Sequence, residues 1–112
     1  MKTQLLDQEE LLKTGKANLQ RGLETVGGAL YLTNLRLIFE PHALNVQTVY
    51  EIIELNDIKQ VTLGWTKFLG AIPLFPNVFT VVTIDKKFDF TVFGRKKWAA
   101  SVSQRISLTA NS

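Results

Sequence analysis

Apolar and polar residues alternate along most of this chain, and the period lengthens only near its end. Gly27 to Phe39 holds two alternating runs joined at Thr33-Asn34, the pattern of a β-hairpin. Leu30 and Leu32 share one face before the turn, and Leu35, Leu37 and Phe39 share one after it. Ahead of the hairpin, 16–21 reads as a modest first strand. Leu5 to Lys13 reads as a short helical or loosely ordered lead-in that Gly15 would stop. Pro41 to Asn45 is a predicted loop. Gln47 to Leu55 follows as a fourth strand, where Ile52-Ile53 breaks the alternation as a bulge would. Asn56-Asp57 signals a turn.

Beyond that turn, Val61, Leu63 and Trp65 fall on one face of a fifth strand, and 77–84 forms a sixth. Asp85-Lys86 turns the chain into a seventh, where Phe88, Phe90 and Val92 alternate with Lys87, Asp89 and Thr91. After Gly94 the period becomes helical, with Trp98, Ala99, Val102 and Ile106 on one stripe and a tail from Leu108 expected to fray. Seven closely spaced strands and one amphipathic helix predict a mainly β antiparallel barrel or sandwich, its open end capped by the helix with Trp98 as the plug. The 112 residues suit a single domain with a core spanning about 9–106.

Composition narrows the chemistry. With no cysteine, disulfides and thiolate metal sites are excluded. The opening residues turn acidic after two leucines, unlike a signal peptide, and no apolar run reaches transmembrane length. A cytoplasmic location is expected. Charge is uneven: residues 1–56 carry net −2 and residues 57–112 net +5. The one histidine, His42, lies in the predicted loop without ligand spacing around it. Glu51 and Glu54, three apart on a strand, face opposite ways and make a poor acid–base pair. Gly27-Gly28 lacks the following Gly-Lys-Ser/Thr of a phosphate loop and reads as a bend into strand two. These features point away from catalysis, and no cofactor or metal is expected.

Two features stand out. Lys67 to Asn77 reads as a loop unusually rich in large apolar residues: Phe68, Leu69, Ile72, Leu74 and Phe75. It would fold back over the barrel, enter a membrane, or form a contact with a protein partner or a second copy. The second feature is basic. Lys86 and Lys87 lie at the last hairpin, and Arg95, Lys96 and Lys97 open the helix against its macrodipole. Such a group is either a solvated charged turn or an anion site at the helix start. The two basic groups flank one strand, about 20 Å apart, and are expected to form separate patches. Lys67, beside the apolar loop, suits a headgroup contact.

The run G-A-L-Y-L-T-N-L-R-L-I-F from Gly28 to Phe39 resembles the signature hairpin of the GRAM domain family, within the pleckstrin-homology-like superfamily. Glu9 to Leu12, Ala17 to Leu19, Ile53 to Val61 and Phe88 to Phe93 resemble the family's opening, its I-x-L-x-D-I-x-x-V strand and its last strand. The resemblance implies the same seven-stranded barrel with a terminal helix. It also implies a binding module for phosphoinositide, other lipid or protein. The first hairpin loop, where pleckstrin-homology domains commonly hold inositol phosphates, has only Lys16 and Arg21 as cations, with Glu24 beside them. The expected function is weak peripheral association with an anionic phospholipid surface at the inner membrane face. A protein-interaction or homodimer module using 67–77 is the alternative. Nucleic acid ranks below both, since the basic groups lack an aromatic stacking platform.

Overall fold

A computed structural model describes residues 1–22, 24–42, 50–68 and 71–110. The strands are β1 (Leu11–Arg21), β2 (Glu24–Thr33), β3 (Arg36–Pro41), β4 (Glu51–Glu54), β5 (Ile58–Phe68), β6 (Ile72–Thr83) and β7 (Lys87–Val92). A 3-10 turn at Leu55–Asp57 joins β4 to β5, and helix α1 (Arg95–Ala110) follows β7. All seven strands form one antiparallel sheet in the order β4-β3-β2-β1-β7-β6-β5, which leaves β4 and β5 as its edges. Helix α1 packs on β5, β6 and the 3-10 turn.

Alternation places the core as expected. Leu30, Leu32, Leu37, Phe39, Phe90 and Val92 are buried in one cluster with Trp98 and Val102 of the helix. Phe39, Phe90, Phe79 and Trp98 form a row of ring contacts, with successive centroids 6.0, 5.4 and 6.3 Å apart. Leu35, expected on the core face, sits exposed in the turn, where its N–H donates to the Thr33 hydroxyl.

Other expectations are corrected. The lead-in is no helix: β1 begins at Leu11 and runs through Gly15, the expected stop. A Cβ at Gly15 would lie 3.2 Å from the Trp98 ring, so this glycine makes room for the plug. Gly27 and Gly28 lie inside β2 and do not bend into it. A Cβ at Gly28 would collide with the Glu40 carbonyl oxygen across the ladder. No bulge occurs at Ile52-Ile53: the β3–β4 register is regular, with Ile53 buried and Ile52 exposed. Residues 43–49, which hold most of the predicted loop and the start of the predicted fourth strand, lie outside the described residues. The helix continues through Ala110, past the point where fraying was expected.

The segment predicted as a loop over 67–77 is mostly strand. Lys67 pairs with Pro73 and Phe68 with Ile72, closing a β5–β6 hairpin. Pairing of β6 with β7 starts only at Val78, so residues 72–77 have β5 on one side and an open edge on the other. Proline is tolerated there because the open edge has no ladder bond to lose.

Every residue of β3 is buried. Leu37 and Phe39 face the core, while residues 1–10 cross the opposite face. The Glu40 carboxylate accepts the N–H groups of Lys2 and Thr3 and the Thr3 hydroxyl, the last at 2.6 Å. Arg36 donates to the Gln4 carbonyl and forms a buried bidentate pair with Glu9 at 2.7 and 2.8 Å. Burial pushes the Glu40 carboxyl up, but those three donors outweigh it and hold it below its ordinary range. Glu9 is held at about 2, chiefly by the Arg36 guanidinium and also by Thr33 and the Leu6 N–H.

Candidate functional site: a cationic groove at the helix start

Strand β7 ends at Val92, and the next two residues turn the chain sharply. Gly94 takes φ +77°, a conformation that suits glycine, and its carbonyl accepts the first helical bond from the Trp98 N–H. Phe93 is left 99% exposed beside that turn. Arg95, Lys96 and Lys97 form the first turn of α1, with no acidic residue among them. Trp98 reaches inward against Gly15, and the Lys13 ammonium of β1 sits 5.1 Å from the centre of its ring.

These elements enclose an open groove of about 760 Å³. Lys13 and Lys16 line it from β1, Pro76 from β6, and Phe93, Arg95, Lys96, Lys97 and Trp98 from the β7–α1 junction. Among the described residues, five cations and no carboxylate border the groove. Two of the five also hold structure. Arg95 donates to the Gly64 carbonyl of β5 at 2.6 Å, and Lys13 covers Trp98. Lys16, Lys96 and Lys97 are exposed and make no salt bridge among the described residues. Chemically, the groove suits an anion large enough to touch several ammonium groups.

The predicted basic residues therefore do not converge on one place. Lys86 and Lys87 occupy the far end of β7. Lys86 lines a smaller hollow of about 360 Å³ that Asp57 and Asp85 also border, so its charge is locally balanced. Lys67 lies exposed on the hairpin and lines a hollow of about 520 Å³ with Trp65 and Asp89. Lys13 fell in the predicted lead-in because β1 begins five residues earlier than its alternation suggested, and Lys16 was placed with Arg21 at the first hairpin and not at the helix start.

Ile72, Leu74 and Phe75 do not fold back over the barrel and are all about half exposed or more. Leu69 and the Phe68 side chain lie outside the described residues. Trp65 and Phe93, which the pattern placed in strands, join the exposed set. His42 is exposed, and no group of three or more metal-ligating His, Asp or Glu side chains occurs among the described residues. No helix among them is long and apolar enough to cross a membrane.

Solved structures share the architecture at low sequence identity. The C-terminal domain of an unknown protein from Leishmania infantum is 19% identical, with a TM-score of 0.73 over 89% of this chain and 86% of that one. The Vps36 N-terminal PH domain is 15% identical, with a TM-score of 0.72 over 97% and 87%. The N-terminal PH domain of human ARAP2 is 16% identical, with a TM-score of 0.63 over 97% and 88%. No curated protein matches the chain significantly. The fold is therefore that of a pleckstrin-homology domain. Its family is narrower than its fold, because the sequence profile of the GRAM domain matches residues 1–111. The chain belongs to the GRAM domain family.

Proposed function

We propose that this domain is a non-catalytic module that associates peripherally with anionic phospholipid on the cytoplasmic face of a membrane. The supporting observation is the groove at the helix start, bordered among the described residues by five cations and no carboxylate. Each Lys or Arg near an anionic surface contributes about 1 kcal/mol. Lys16, Lys96 and Lys97, free of structural duties, would together supply weak attachment that screening weakens. Placing Lys96 and Lys97 at a helix start costs local stability, which favours a binding role for them.

Co-sedimentation with phosphatidylcholine vesicles, with and without phosphatidylserine, tests this reading at low and physiological salt. Binding is expected only with the anionic lipid, and K16E/K96E/K97E is expected to abolish it without lowering the unfolding midpoint. Normal binding by that variant would remove the groove from the account. A protein-contact reading rests on the exposed hairpin residues Ile72, Leu74 and Phe75. Self-association in sedimentation velocity that Phe75→Ser abolishes, in the absence of lipid, would favour it.

A further inference from the structure

The β5–β6 hairpin continues past the end of β7. Its outer part is a two-stranded ribbon with no neighbouring strand on either edge among the described residues. Ribbons of this kind are marginal in water unless a face is covered. Here residues 71–76 are exposed one after another, so neither face is covered. Trp65, Ile72, Leu74 and Phe75 present large apolar groups on it. Phe93 and Pro76, the latter at the ribbon root, border the same groove.

We infer that the ribbon and Phe93 form a wedge that enters the interfacial layer of a bilayer while the groove holds anionic headgroups. The inference rests on the membrane reading above and adds insertion and orientation to it. Two observations select lipid over a protein partner. The first is charge: cations flank the apolar surface, with Lys67 on the ribbon and five more in the adjoining groove, which complements an anionic headgroup layer. The second is the edge. A bare strand edge recruits partners through its N–H and C=O groups, and Pro73 and Pro76 each remove a donor where β6 lies beyond β7. The same missing donors reduce what must be desolvated on entering lipid. Unmatched backbone groups remain, so insertion stops at the interface and does not cross the membrane.

Trp65 supplies a native reporter, because it is exposed on the ribbon while Trp98 is buried. The test adds the full chain to phosphatidylcholine–phosphatidylserine vesicles, with and without brominated acyl chains. A blue shift and quenching by the brominated lipid are expected, and both should vanish in Trp65→Phe. Phe75→Ser/Phe93→Ser should weaken binding at physiological salt at least about tenfold, with low-salt binding largely kept. Vesicle binding without quenching, and with full affinity in the double serine variant, would overturn the wedge and leave the electrostatic reading standing. No binding to any vesicle would overturn both. Self-association that the double variant abolishes, with no quenching, would assign the ribbon to a second copy of the chain.

Discussion

The outer face of β3 and the groove at the start of α1 handle charge in opposite ways. On β3, Arg36 and Glu40 are buried, and each is matched by donors or acceptors from residues 1–10. At the groove, Lys16, Lys96 and Lys97 stand exposed and face no carboxylate. The two halves of the chain differ in charge, net −2 before Asp57 and net +5 from it onward. That unevenness maps onto this division only for Arg95, Lys96 and Lys97, since Lys13 and Lys16 come from the first half. Apolar residues divide likewise. The β2–β3 hairpin buries Leu30, Leu32, Leu37 and Phe39, while the β5–β6 hairpin exposes Trp65, Ile72, Leu74 and Phe75. One hairpin is covered by its own chain, and the other is left bare.

The contrast is most easily broken on the buried side. Arg36→Met leaves the Glu9 carboxylate buried without its partner and should cost about 3–5 kcal/mol, read by urea unfolding. Arg36→Met/Glu9→Leu should recover most of that loss. A single substitution that proves harmless would mean that the pair is not buried in solution.

Next in size is the acid response. With its folded-state value at about 2 against an ordinary 4.5, Glu9 contributes stability that is complete above pH 4.5. That stability is lost as pH falls from 4.5 towards 2, and amounts to roughly 3 kcal/mol. Glu40, also held low, loses stability in the same direction. Unfolding followed across this window should show the loss, and Glu9→Gln should flatten most of it. An unchanged slope in Glu9→Gln would assign the acid sensitivity elsewhere.

The smallest effect sharpens the contrast from the groove side. Replacing Lys96 and Lys97 with Glu reverses two charges that oppose the helix dipole and should stabilise the domain by about 1 kcal/mol. The same variant should bind vesicles less well. A substitution that raises the unfolding midpoint while lowering binding would identify these lysines as serving a ligand and not the fold. A fall in the midpoint would show that they hold structure.

The sequence pattern carried the fold further than the site. Strict alternation in Leu30 to Phe39 and Phe88 to Val92 placed the buried faces, because period two is fixed by the pleat itself. The helical stripe from Trp98 to Ile106 was equally legible. The ribbon was not, because Gly70, Pro73 and Pro76 carry the local signature of a loop. Only the early end of β7 turns that stretch into a free edge where proline is permitted. Arg95, Lys96 and Lys97 were legible as an oddity at a helix start, but their neighbours Lys13 and Lys16 come from a strand some eighty residues earlier. The Glu9–Arg36 pair, 27 residues apart, left no local signal at all.

The bond from Arg95 to the Gly64 carbonyl has a mechanical consequence. Gly64 is the last residue of β5 before the ribbon, and Arg95 is the first residue of the helix that borders the groove. One hydrogen bond thus fastens the root of the apolar arm to the rim of the charged one. In the membrane role proposed above, such a coupling would make two weak contacts act as a bivalent grip, in which the second engages at the high effective concentration set by the first. Occupancy would then rise steeply where anionic headgroups and loose lipid packing occur together, and stay low where only one is present.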